Sequence, residues 1–196
     1  WSLPALLVAA ALFLPKRDMA RPVRRAAWLP DWKNPLTLRI GLLLGLSGSM
    51  FFGLNAYMGN LLEQQGKISM LSEALFWYNI AQVFASLVVL KMARRWVGSR
   101  TTIVITAALS ILGTTGTVFL EGWWFIASAT VMSFVAGILL ILLVALPPLL
   151  VSSAETGRLS AGTFLVGYTM GFCVPMLGGL IADTTGDPRH AIITMI

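Results

Sequence analysis

The sequence predicts an all-α membrane protein, and three observations carry that prediction. First, 11% of the 196 residues are charged and 57% are hydrophobic, against about 25% charged and about 45–50% apolar in a soluble domain. A mean hydropathy of +0.82 leaves too little polar surface to coat a soluble globule. Second, apolar runs of about 20 residues recur along the chain, enough at about 1.5 Å per residue to cross about 30 Å of hydrocarbon. Third, the basic residues gather on alternate loops, the distribution that the positive-inside rule demands.

Taken in order, the chain opens on an apolar run, 1–14, too short to span and read as the end of a helix. A basic loop follows at 15–35, then runs at 36–62, 71–93, 101–120, 123–146 and 161–182, and a new apolar start at 191. Five whole spans between two partial ones are expected. Neither an initiator Met nor a basic n-region precedes the first run, so a signal peptide is not expected.

The stretch "PKRDMARPVRRAAW" (15–28) sets Lys16, Arg17, Arg21, Arg24 and Arg25 against one acid, Asp18. A nucleic-acid arm and a cytoplasmic loop are the two readings, and counting separates them. With loop 15–35 in the cytoplasm and the helices alternating, 12 of the 14 basic residues fall inside, leaving Lys67 and Arg189 outside. Five of the eight acids, Glu63, Glu73, Glu121, Asp183 and Asp187, fall outside. A nucleic-acid arm would leave this alternation unexplained, so no nucleic-acid partner is expected. The lipid bilayer is, and the loop's charge also favours anionic lipid.

The spans after the loop read as two three-helix units, with "KMARRWVGSR" and "SSAETGRLS" in equivalent turns. Units of opposite orientation match the inverted repeats of secondary transporters. Within the second whole span, Asn79, Gln82 and Ser86 share a helical face flanked by Tyr78 and Trp77. Amides facing lipid cannot satisfy their donors, so this stripe must meet other helices or a wet cavity. In the first, Asn55 lies between Gly48, Phe52 and Gly59, with Tyr57 a little round the cylinder. Interhelical hydrogen bonds and solute contacts both remain open for these groups. The last whole span adds Tyr168, Pro175 and the Gly167/Gly171 pair, whose small-xxx-small spacing suits close packing. The fourth, "SATVMSFVAGILLILLVAL", is nearly devoid of polar groups and offers few solute contacts.

No Asp, Glu, Lys, Arg or His stands near the middle of any whole span, where a charge costs about 2.5–3.5 kcal/mol. No phosphate-cradling loop occurs, and no nucleophile stands beside a His. Cys173 is the one cysteine, which excludes an internal disulfide. His190 lies in a polar loop and is read as solvated. An enzyme is not expected, nor a metal or cofactor. A secondary transporter leads, with a non-transport subunit or channel-like packing module as the alternative.

"FFGLNAYMGNLLEQQG" (51–66), "YNIAQVFASLVVLKMARRWVGSR" (78–100) and "GRLSAGTFLVGYTMGFCVPMLGGLIADTTGD" (157–187) resemble the cyanate and nitroimidazole transporter branch of the major facilitator superfamily. The resemblance implies the C-terminal six-helix half of a twelve-helix fold. On it, 1–14 is the end of helix six, 15–35 the cytoplasmic loop, and 36–196 runs from helix seven to the start of helix twelve. First and last helices are truncated, and the N-terminal half is a partner elsewhere in the same chain. The equivalent helices line a central cavity, so Asn55, Tyr57, Tyr78, Asn79, Gln82 and Tyr168 become the cavity candidates. Amides, hydroxyls and aromatic faces without fixed charge suit a small planar solute, neutral or weakly anionic, and a bacterial inner membrane is implied. The superfamily's cytoplasmic signature survives only as Arg94, Arg95, Gly98 and Arg100, with Arg95 near the expected Asp. Those arginines either fix topology or keep part of a charge relay, and Arg158 belongs with the cytoplasmic, topology-setting charges.

Overall fold

The structure, a computed structural model, describes residues 29–196, and over them it is helical. The apolar run 1–14 and the basic cluster from Lys16 to Arg25 lie outside the described residues. Helix α1 spans Pro35–Gln64. Asn34 caps it by accepting from the Leu36 N–H at 3.0 Å, and Pro35 occupies the first turn, where its missing N–H costs nothing. A 3₁₀ turn, Ile68–Met70, leads into α2, Leu71–Trp96. Its acid, Glu73, sits in the first turn and its bases, Arg94 and Arg95, in the last, matching the helix dipole. The chain reverses at Gly98, whose φ of +80° excludes most side chains. Ser99 then caps α3, Arg100–Phe119. A three-residue connection gives α4, Trp123–Val144, and a short α5 covers Pro147–Leu150. Helix α6, Ser153–Thr185, closes on Gly186 in the left-handed region, and α7 spans Arg189–Ile193.

Five of these helices are long and apolar enough to cross a membrane. The spans at 36–62, 71–93, 101–120 and 123–146 agree with α1 to α4 to within a few residues, because apolar length decides them. The last does not: "SSAETGRLS", expected as loop, is helical from Ser153 onward. Its first turn carries the Ser-x-x-Glu pattern of a helix start; here Ser152 Oγ donates to the Glu155 carboxylate at 3.0 Å, and Glu155 stands in the first turn, where an acid suits the helix dipole. At about 50 Å, α6 exceeds a hydrocarbon core by about 20 Å, nearly four turns, and its charged residues, Glu155, Arg158 and Asp183, lie towards its two ends.

Packing does not follow chain order. Helix α1 lies mainly against α6, and α4 lies against α2, α3 and α1, whereas the consecutive α1 and α2 touch little. Small residues set the α1/α6 seam. A Cβ at Gly41 would fall 2.7 Å from Val166 Cβ, and one at Gly45 would fall 3.0 Å from the Gly167 carbonyl oxygen. Without lipid-driven hydrophobic attraction between helices, such backbone approach is what holds them. The same holds at α3/α4, where a Cβ on Gly113 would fall 2.7 Å from Met132 Cβ and Ser128 Oγ donates to the Gly113 carbonyl at 2.9 Å. The main core gathers Leu54, Met58, Tyr78, Phe125 and Met132 where α1, α2 and α4 meet.

Hydrogen bonds fix which helix ends lie together. Gln64 Nε2 donates to Asp187 at 3.1 Å, Gln65 Nε2 to the Leu120 carbonyl at 3.3 Å, and Lys67 pairs with Glu121 at 2.9 Å. The ends of α1, α3 and α6 are thereby stapled at one end of the bundle. At the other, Arg158 Nε donates to the Leu29 carbonyl at 3.0 Å, joining the starts of α6 and α1. Seven of the nine described basic residues gather at that second end, Lys67 and Arg189 at the first. The helices therefore alternate as the charge pattern requires.

Candidate functional site

A cleft of about 140 Å³ opens where α1, α4 and α6 meet. Leu44, Gly48 and Phe52 line it from α1, Leu140 and Val144 from α4, and Phe164, Gly167, Tyr168 and Gly171 from α6. Glycines at 48 and 171 bring backbone to its wall. Each would place a Cβ no closer than 3.8 Å to the Phe52 ring, so the space beside them is open. Phe52 stacks with Phe172 and Phe164 with Tyr168, at centroid separations of 6.4 and 6.0 Å. Phe52, Tyr168 and Phe172 are all exposed, Tyr168 to 56%, giving an aromatic face that no described helix covers.

The six candidates divide on this geometry. Tyr168 lines the cleft. Asn55 is half-buried, on the α1 face that Gly48 and Phe52 present to the cleft. Gln82 is partly buried where α2 meets α4, beside Gly137, and its Nε2 is buried with no hydrogen-bond partner among the described residues. Asn79 is exposed and donates to the Leu75 carbonyl of its own helix at 2.7 Å, as Ser86 Oγ does to Gln82 at 2.9 Å. The stripe thus keeps two of its members occupied locally and one without a partner.

Tyr57 and Tyr78 have different surroundings. Tyr78 is fully buried; its ring stacks on Phe51 at 5.1 Å and its hydroxyl donates to the Phe51 carbonyl at 2.9 Å. Ser133 Oγ of α4 donates to the Tyr78 carbonyl at 2.6 Å, so this residue ties three helices together. Tyr57 donates its hydroxyl to the Pro175 carbonyl at 3.0 Å, joining α1 to α6. Both tyrosines spend their polar atoms between helices, outside the cleft. The apolar α4, from which few solute contacts are expected, supplies part of the cleft wall through Leu140 and Val144.

Arg94, Arg95 and Arg100 are exposed around the α2/α3 turn. Arg158, expected in a loop, stands on the second turn of α6. Lys67–Glu121 is the one ion pair among the described residues. The hydrogen bond and charge of Lys67 hold the Glu121 carboxyl below its ordinary range. Asp187 is likewise lowered, by the Arg189 backbone N–H and by the Gln64 amide.

Geometry and hydropathy thus define a multi-pass, all-helical membrane-class protein with an open aromatic cleft on one face. Comparison with family models, with curated proteins and with solved structures gives no match.

Proposed function

We propose that the chain is one helical half of a secondary transporter that moves a small planar solute by alternating access. The resemblance to the cyanate and nitroimidazole branch of the major facilitator superfamily is the source of this reading. One observation of the fold supports it above the others: the first helix of each three-helix unit packs on the middle helix of the other, α1 on α6 and α4 on α2. A crossed exchange of this kind is what two inverted three-helix repeats produce, with solute sites near the repeat interface. The cleft beside α1, α4 and α6 lies at that interface. A second six-helix unit would close it and face Asn55, Gln82 and Tyr168.

On this reading the basic end is cytoplasmic, the membrane is a bacterial inner membrane, and the spans are helices seven to eleven. The cleft carries no fixed charge, so a sugar phosphate would lack the Arg or Lys clamp that its anion needs. Any coupling carboxylate belongs to the other unit, or the solute's own gradient drives transport. Vesicles holding the full-length protein under an imposed proton gradient provide the test. Uptake of small planar nitrogen-containing or carboxylate-sized solutes without ATP is expected; transport of phosphorylated sugars alone would overturn the reading.

A further inference from the structure

Helices α3 and α4 have 20 and 22 residues, against 30 in α1 and 33 in α6. At about 1.5 Å per residue, each of the shorter pair matches the roughly 30 Å hydrocarbon core with little to spare. Because α3 starts with Arg100 at the basic end, its last residue, Phe119, falls at the opposite boundary of that core. The turn between α3 and α4, residues 120–122, therefore lies in the boundary layer itself.

That turn is flanked by uncovered rings. Phe119, Trp123 and Trp124 are 77%, 60% and 74% exposed. The polar groups of the same turn are drawn onto the bundle instead. One amide takes two of them: Gln65 Nε2 donates to the Leu120 carbonyl at 3.3 Å, and Gln65 Oε1 accepts from the Gly122 N–H at 3.2 Å. Lys67 Nζ holds the Glu121 carboxylate at 2.9 Å. Gly122, at a φ of +56°, lies beneath the same lysine, and a Cβ there would fall 3.5 Å from Lys67 Nζ. The turn thus gives its polar groups to α1 and leaves its rings without a protein cover among the described residues.

Such a cluster needs a partner that accepts flat apolar faces together with an indole N–H. The headgroup layer of a bilayer accepts both, and Trp is enriched at that depth. Trp96, in the last turn of α2, and the exposed Trp32 stand at the basic end, so rings mark both boundaries of the span.

We infer that the α3/α4 turn is a membrane-interface anchor: Phe119, Trp123 and Trp124 insert between headgroups and acyl chains of the phospholipid leaflet opposite the basic end, at a depth held by Gln65 and Lys67. Gln65 and Lys67 directly follow α1, so the anchor also fixes the end of α1 against the bilayer, the role that interfacial Trp residues play in setting helix position. It requires no transport, and it stands or falls apart from the transporter reading.

Spin-label accessibility tests it in the full-length protein, reconstituted in phosphatidylethanolamine/phosphatidylglycerol vesicles on a Cys173→Ser background. Single labels are placed at Phe119→Cys, at Leu112→Cys midway along α3 and at Glu73→Cys in the first turn of α2; both tryptophans stay in place. Oxygen concentrates in hydrocarbon and a nickel chelate in water. The label at 112 should collide with oxygen and lose nearly all nickel collisions, the label at 73 should do the reverse, and the label at 119 should meet both. A label at 119 that matches the one at 73 would put the turn in water, and one that matches 112 would sink it in hydrocarbon. Protection from both reagents would reveal a protein partner, a second copy or another helical unit, over the rings. Each of these three results would overturn the inference. On the same label, Trp123→Ala with Trp124→Ala, and separately Gln65→Leu, should raise nickel collisions as the turn leaves its depth; an unchanged ratio in the first variant would overturn the anchor, and in the second the hold assigned to Gln65.

Discussion

Tyr78 and Tyr168 occupy two sides of the same bundle and make an instructive pair. Each sits in an apolar helix among aromatic and small residues. Tyr78 ends fully buried, with its hydroxyl on the Phe51 carbonyl and its own carbonyl on Ser133. Tyr168 stays 56% exposed on the rim of a cleft with only Phe164 stacked against it. The closed side, where α1, α2 and α4 meet, holds the fold together; the open side, at α1, α4 and α6, has free surface to offer. Polar character inside a span does not by itself distinguish a strut from a contact.

The largest expected effect separates the two sides directly. Tyr78→Ala should cost about 3–5 kcal/mol, the scale of an aromatic removed from a packed core. Tyr168→Ala should stay within about 0.5 kcal/mol yet abolish transport. Thermal unfolding in detergent beside vesicle uptake reads both; equal destabilisation would erase the distinction. Next in size is Gly45→Val. Its Cβ would fall 3.0 Å from the Gly167 carbonyl oxygen, so the α1/α6 seam must part, at a cost of about 1–3 kcal/mol. An unchanged midpoint would mean that the close approach there contributes little.

The smallest effect concerns the stapled end. Glu121 and Asp187 have folded pKa values below their ordinary ones, so whatever they contribute is present above the unfolded carboxylate range of about 4. It is lost as pH falls through the lowered folded values. The unfolding midpoint should be flat in this respect from neutrality to about pH 5 and drop in acid, with Glu121→Gln removing its share. Both groups are exposed and screened, so the drop is slight. A midpoint rising in acid would contradict the sign.

Much of the fold was legible in the sequence, because span length and charge alternation are local properties. Helices α1 to α4 follow their apolar runs closely, and the described basic residues fall at the ends assigned to them. Two local signals pass easily unread. Ser152-x-x-Glu155 starts α6 eight residues before its apolar run, and "GLLLG" (41–45) carries the Gly-xxx-Gly spacing that seats α1 on α6. The division of the candidate site is different in kind. Whether Tyr57, Tyr78 and Tyr168 face a cleft depends on which helices pair, and α1 pairs with α6 across more than a hundred residues, hardly touching its neighbour α2. That choice rests on glycine placement around both cylinders and has no local signature.

The central claim is that the open side faces water and solute, and cysteine labelling tests it most directly. In the full-length protein with Cys173→Ser as background, single substitutions Tyr168→Cys on the cleft and Leu112→Cys on α3 are compared. Both native side chains are exposed, Leu112 to 65%. A water-soluble thiol reagent should modify the cysteine at 168 in membrane vesicles, and added solute should slow that reaction, while the cysteine at 112, facing lipid, stays unreactive. Equal inertness at the two positions would place the cleft against lipid and contradict the account.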